Sequence, residues 1–387
     1  MNTKIAIIGL RGIPSAYGGT ETFVEELTER LKDKFQFYVM YEDSNFFEDN
    51  YNGVIRVHSP AIKNKSTSIP SINDLINTLY IIYKHKKEIK LFYFLGPDSS
   101  VCILLTRLIG AKSIINPDGI EWKRLIKRSY FIPFYLLPIY LTVMIYMYFM
   151  EWLSCKLPNI IVADSIAIKK YLKKQHKVEK IVYIPYGARE LINLSLSEEK
   201  EAEILNKYNL LRESYYLTVA RIVAENNLHI EIKAFKKAKT NKKLVIIGNL
   251  NERDPYTKHL LKLKGNNENI FLINQIYNKQ ILGVLRKNCF AYIHAYEVGG
   301  TNPSLLEQMQ FGKPILTYDV PFNREVLREG GICFRDEEDL KRKIEMLEKG
   351  NFNLNLITKL QLERIKTHYN WDKIARQYET VFNSLIG

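Results

Sequence analysis

Cysteine is scarce in this chain of 387 residues, and its pattern excludes a disulfide framework or a thiol-held metal. Cys102, Cys155, Cys289 and Cys333 lie far apart with no C-x-x-C pair, the pattern expected of reduced, buried thiols in a cytoplasmic protein. The seven histidines form no H-E-x-x-H, and no D-x-D pair is present to hold a metal against a diphosphate. No metal and no cofactor is therefore expected. No secretory leader is expected either: the apolar run after Met1 is short and continues into a glycine loop, so it reads as a first strand and not as a secretion signal.

Positive charge, by contrast, is in excess. The 56 Lys and Arg against 42 Asp and Glu leave a net charge of +14. That balance favours anionic partners, whether nucleotide phosphates, nucleic acid or the inner face of a membrane, without choosing among them. A hydrophobic content of 46% is that of a globular protein, and the length calls for two domains.

Short apolar runs alternate with helical patterns along the chain. Lys4-Ile-Ala-Ile-Ile-Gly9 has the pattern of a parallel strand covered on both faces. It leads through Gly9-Leu-Arg11-Gly12 and Tyr17-Gly18-Gly19 into an amphipathic helix, 22–32. This spacing departs from the G-x-G-x-x-G of dinucleotide-binding folds. Further strands are expected at 35–41, 54–58, 91–95, 112–116, 159–164 and 180–184. A second series follows at 215–220, 243–248, 269–273, 289–295 and 314–318, so the class is α/β with two doubly wound parallel sheets. Asn116-Pro117-Asp118-Gly119-Ile-Glu121 closes one strand, where open α/β sheets place ligands. Asp118 and Glu121 are candidates for orienting an acceptor hydroxyl or supporting charge, and an ordinary Asp-Gly turn is the plain alternative.

The most unusual composition lies at Ser129 to Met150, 22 residues without a charge. The length suffices for a membrane span, but Pro133, Pro138 and five tyrosines point to an interfacial segment, with the basic cluster Lys123, Arg124, Lys127 and Arg128 facing anionic lipid. A buried core helix is the alternative.

The C-terminal third holds the densest constellation, His294-Ala-Tyr-Glu297-Val-Gly299-Gly300-Thr301-Asn302-Pro303-Ser304-Leu-Leu-Glu307. Glycines at a strand-to-helix turn bring backbone close to a ligand, and the new helix's amides suit a diphosphate. Pro303 at the first helical position makes Asn302 the cap; alternatively Ser304 and Glu307 form a capping box. His294 reads more readily as a strand-end histidine than as a catalyst.

Together these residues resemble retaining glycosyltransferases of the GT-B fold, glycosyltransferase family 4, over nearly the whole chain. The motifs G-L-R-G-I-P, D-G-I-E-W-K-R, A-R-I-V-A-E-N-N, V-G-G-T-N-P-S-L-L-E and D-V-P-F-N-R-E-V look like a bacterial rhamnosyltransferase-type branch that builds cell-wall or capsular polysaccharide. The resemblance implies a GT-B architecture: residues 1–188 as an acceptor-binding domain with a membrane-associating segment at 123–157, residues 189–368 as a nucleotide-sugar-binding domain, and a C-terminal helix at 369–387. It also implies a cytoplasmic enzyme, peripheral or monotopic on the inner face of the plasma membrane. The partners implied are dTDP-L-rhamnose, a polyprenyl-diphosphate-linked saccharide and the membrane surface, and not nucleic acid.

Carried over residue by residue, the family pattern makes Arg221 the diphosphate cation and Glu307 the second Glu of E-x7-E, on the ribose. The first Glu of that motif falls at Gly299, and the family's Lys falls at Asn226. The expected site is thus catalytic Asp118, Glu121 and Arg221, with donor contacts from Gly18, Gly19, Arg221, Asn226, Gly299, Gly300, Thr301, Asn302, Ser304 and Glu307. The two departures leave room for a UDP-sugar-dependent relative or a catalytically silent scaffold.

Overall fold

The computed structural model describes residues 2–14, 18–60, 70–188 and 196–386. They fall into two compact units. One comprises Met1–Trp122, Thr142–Gly187 and Asn370–Gly387; the other comprises Lys123–Leu141 and Ala188–Tyr369. Each is a doubly wound α/β unit on a parallel sheet, the expected class.

The first unit's strands are β1 (Thr3–Ile8), β2 (Phe35–Asp43), β3 (Phe47–Tyr51), β4 (Val54–Pro60), β5 (Ile89–Leu95), β6 (Lys112–Asn116), β7 (Ile160–Ala163) and β8 (Ile181–Tyr183). Their spatial order is β3-β4-β2-β1-β5-β6-β7-β8, with only β3 antiparallel. Ile5 lies opposite Phe37 on one side and Leu91 on the other. All three are fully buried, which is why these strands read as unbroken apolar runs. The strand order reverses between β1 and β5, the topological switch point where such sheets bind ligands. There Gly9 has φ +99°, and a Cβ on it would lie 2.0 Å from the Leu95 carbonyl oxygen, so only glycine fits.

Helix α1 (Gly19–Leu31) buries Phe23, Val24, Leu27 and Leu31 at helical spacing. The terminal helix Trp371–Ile386 returns to the same unit. Its Trp371, Tyr378 and Phe382 pack among Phe23, Phe35, Phe37 and Tyr93, and the Tyr93 and Tyr378 hydroxyls meet at 3.1 Å. The helix set apart in the sequence as 369–387 is therefore part of the first unit's core.

Four other helices matter for the site: α2 (Pro70–His85), α3 (Cys102–Leu108), α4 (Glu121–Ser129) and α5 (Leu137–Lys156). The run Phe134–Lys156 is long and apolar enough to cross a membrane, and 17% of its most apolar stretch is buried. Only the last turns of α5 pack inward, through Met147, Met150, Ser154 and Cys155. Glu151 there is buried but holds His176 Nε2 and the Tyr171 hydroxyl, both at 2.7 Å. Tyr130, Phe134, Tyr135, Ile139, Ile145 and Phe149 are all exposed.

The second unit's strands are β9 (Tyr215–Val219), β10 (Lys243–Gly248), β11 (Ile270–Asn274), β12 (Ala291–His294), β13 (Ile315–Tyr318) and β14 (Ile332–Phe334). They are all parallel, in the order β11-β10-β9-β12-β13-β14, so the switch point lies between β9 and β12. Phe131 packs against this unit's core, between His229, Tyr256 and His259.

Candidate functional site

In the second unit the sequence's two richest motifs end up on adjacent strands. Arg221 follows β9, and the stretch 295–304 follows β12. Arg221 is exposed, and its carbonyl accepts hydrogen bonds from Val223 N (2.9 Å) and Asn226 Nδ2 (2.7 Å), which close a tight turn. Asn226, at the position of the family's Lys, thus holds this turn through its own side chain.

The next residues knit the two loops together. Asn227 Nδ2 donates to the Ala295 carbonyl (3.1 Å) and to Glu297 Oε2 (3.0 Å), while Glu297 N donates to the Glu225 carbonyl (3.0 Å). Helix α4 binds the same loops. Arg124 donates to the Val298 carbonyl (3.2 Å) and the Tyr296 hydroxyl (2.8 Å), Lys127 pairs with Glu297 (2.8 Å), and Arg128 grips both oxygens of the fully buried Glu225. This corrects the expectation of a lipid-facing basic cluster. A buried carboxylate needs a paired cation, and three of the four basic residues serve this unit's own acceptors.

Gly299 has a physical explanation here. A Cβ on it would lie 2.2 Å from the Tyr296 hydroxyl that Arg124 holds, so the turn has no room for the glutamate of E-x7-E. Gly300 and Thr301 carry the turn on, with Thr301 buried. Asn302 then caps the helix Pro303–Met309 by accepting from Ser304 N at 2.9 Å. The cap is therefore Asn302, and the capping-box alternative drops out.

Ser304 and Glu307 face a residue that sequence reasoning missed. Ser304 Oγ donates to the Val219 carbonyl at 2.9 Å, at the end of β9, and lies 3.0 Å from the Tyr292 hydroxyl. Arg286, whose side chain is 1% exposed, donates to Ser304 Oγ (2.8 Å), Glu307 Oε2 (3.0 Å) and Gln308 Oε1 (3.3 Å). Glu307, expected on the ribose, thus has a cation behind it. The only sequence signal was an arginine near the end of an amphipathic helix, Lys279–Asn288, a common solvated position. His294 is buried on β12, and burial, then the charge of Arg286, pushes its pKa down to about 3. It is neutral at physiological pH.

In the first unit, Gly18 is the N-cap of α1 and Gly19 its first residue; Tyr17 lies outside the described residues. Glu21 is buried and accepts from Arg11 N at 3.4 Å. Asp118 follows β6 with φ +57°, its N–H on Asn116 Oδ1 at 2.9 Å, a side-chain-closed turn. Glu121 opens α4.

Two further carboxylates, Asp98 and Asp74, lie near these groups. Burial, then the charge of Glu121, pushes Asp98 up to about 6, and Ser71 Oγ donates to it at 3.3 Å. Burial pushes Asp74 up to about 7, with Asp98 and Glu42 adding to the effect while the Ser99 hydroxyl (2.6 Å) opposes it. Asp98 stands just past β5 at the switch point, a place the strand pattern marks; Asp74 sits inside α2 with no sequence signal. Within the first unit the structure thus puts Gly18 and Gly19 after β1 and Asp118 and Glu121 after β6. Within the second, one set of hydrogen bonds closes the turn from Arg221 to Asn226, and another joins Val219, at the end of β9, to Ser304 and through Arg286 to Glu307.

Residues 2–189 match a family described as a domain of unknown function (DUF1972), and residues 199–366 match the family glycosyl transferases group 1. An uncharacterized glycosyltransferase of Methanocaldococcus jannaschii is 26% identical over 246 residues, which span 60% of this chain and 60% of that protein. Among solved structures the chain is similar to sucrose-phosphate synthase of Thermosynechococcus elongatus, with a TM-score of 0.78 and 17% identity over 99% of each chain. It is also similar to HepE of Anabaena in complex with UDP-glucose, with a TM-score of 0.73 and 14% identity over 99% of this chain and 100% of that one.

Proposed function

We propose that the protein is a retaining, nucleotide-sugar-dependent glycosyltransferase, because residues 199–366 match the family glycosyl transferases group 1 and the chain has the fold of GT-B glycosyltransferases. In this proposal it transfers L-rhamnose from dTDP-L-rhamnose to a polyprenyl-diphosphate-linked saccharide, at the cytoplasmic face of the membrane, in bacterial surface polysaccharide synthesis. The observation that carries the donor site is the hydrogen-bond network joining the end of β9, next to the exposed Arg221, to Ser304 and Glu307 at the second unit's switch point.

A diphosphate gains charge as the glycosidic bond breaks, so donors aimed at it act most strongly in the transition state. Arg221 serves as the cation in that role, with the backbone N–H groups of Gly300, Thr301 and Asn302 as further donors. Glu307 takes the ribose. Asp118 and Glu121 serve the acceptor, and Gly18 and Gly19 let backbone approach the donor. With no D-x-D in the sequence, the proposed reaction is metal-free. The five ordered motifs support rhamnose; the HepE complex with UDP-glucose favours a UDP-sugar as the second reading. The exposed aromatic and aliphatic residues between Tyr130 and Phe149 support seating at the headgroup level of a bilayer.

The test is release of nucleoside diphosphate from dTDP-rhamnose or UDP-sugars with a lipid-diphosphate sugar present. Turnover should persist in a chelator and fall about 100-fold or more in Arg221→Ala. Unchanged turnover in that variant refutes the diphosphate assignment, and no turnover with any donor favours a silent scaffold. Ile139→Lys with Ile145→Lys should shift the protein from the membrane to the soluble fraction. A native protein that is already soluble without detergent refutes the seating.

A further inference from the structure

Arg286 is buried at the second unit's switch point, yet two of the residues it holds, Ser304 and Glu307, belong to the proposed donor site. Its guanidinium donates to Ser304 Oγ and the Ser304 carbonyl (2.8 and 3.2 Å), to Gln308 Oε1 (3.3 Å) and to Glu307 Oε2 (3.0 Å), and it lies over the Tyr292 ring at 5.4 Å from the centroid. The Tyr292 hydroxyl in turn meets Ser304 Oγ and donates to the Val219 carbonyl, 3.1 Å away, two residues before Arg221. A side chain 1% exposed cannot itself touch a ligand, whereas Glu307, at 25% exposure, can.

Resting on the reading of Glu307 as the ribose acceptor, we propose that Arg286 is a positioning residue for the donor nucleotide. It engages one carboxylate oxygen of Glu307 so that the other is presented in one rotamer to the hydroxyls of the donor's ribose, the 3′-hydroxyl alone in dTDP. Left alone, Glu307 projects from a seven-residue helix with three rotatable bonds, and ordering it would fall to the ligand. The ion pair does that ordering in advance. A planar guanidinium fork can hold Ser304, Glu307 and Gln308 at once, and a lysine ammonium at the same place cannot match that geometry.

The experiment uses the full chain and calorimetric titration with dTDP and UDP, each beside its 2′,3′-dideoxy counterpart. For the tighter-binding base, Arg286→Lys should weaken binding of the ordinary nucleotide at least tenfold and that of the dideoxy nucleotide less than twofold. Glu307→Ala should show the same split. Arg286→Met, which buries no charge and leaves Glu307 to water, is the second variant should the lysine not fold. Equal weakening for both nucleotides in the Arg286 variants, with the split retained in Glu307→Ala, overturns the positioning role and leaves the ribose reading intact. A missing split in Glu307→Ala overturns both.

Discussion

Asp74→Asn should convert a pH-dependent weakness of the first unit into a pH-independent strength. In the native state the Asp74 carboxyl is pushed from 3.8 up to about 7, chiefly by burial. Between those values the unfolded chain has lost the proton and the native protein keeps it. The native state therefore binds more protons, and stability falls as pH rises. One pH unit corresponds to about 1.4 kcal/mol, so from pH 5 to pH 7 this single group removes up to about 3 kcal/mol. Above pH 7 both states are ionised and the loss levels off. Asparagine has the shape of the protonated acid, and its oxygen can still accept from the Ser99 hydroxyl at 2.6 Å, so the variant should not share the loss. Urea denaturation at half-unit steps from pH 5 to pH 8 reads the difference directly. The advantage of Asp74→Asn over the native protein should grow by about 2 to 3 kcal/mol across that range. Parallel pH profiles would refute the assignment of a neutral Asp74.

Two more predictions test packing in each unit. Arg128→Met removes the partner of the fully buried Glu225 and should destabilise by about 3 to 5 kcal/mol. Adding Glu225→Gln should restore most of that loss, as read by chemical denaturation of both variants. Phe382→Ala empties a fully buried site among Phe35, Phe37, Tyr93 and Tyr378. It should lower stability by about 3 to 5 kcal/mol; a loss under about 1 kcal/mol would mean the terminal helix is not part of the core.

The central strands were legible because a parallel strand buried on both faces must be apolar along its whole length. Strand β3, Phe47-Glu-Asp-Asn-Tyr51, was not, because an antiparallel edge tolerates polar residues. The three-residue β14 was missed because its apolar run stops at once, between Gly331 and Arg335, whereas that of the equally short β8 continues through Ile184. The strand-end motifs around Arg221 and Gly299 were equally visible, since glycine turns and caps are local. The partners of those motifs were not. Arg286 lies 21 residues from Glu307, and Arg128 lies 97 from Glu225; no local spacing announces such pairs. The basic run of α4 looked lipid-facing for the same reason. Its acceptors appear only once the chain has folded back on itself.

The buried thiols carry a practical consequence. Cys102, Cys155 and Cys289 are buried, and burial pushes Cys102 and Cys289 up to about 12, while Cys333 is half-buried and raised as well. At neutral pH these residues are almost entirely thiols, and maleimides react with thiolates. The native protein is therefore close to silent toward such reagents. A single cysteine introduced at Ile139 or Tyr135, on the exposed apolar surface, would accept a fluorophore or spin label against that background, so that immersion depth becomes a spectroscopic quantity without first engineering a cysteine-free chain.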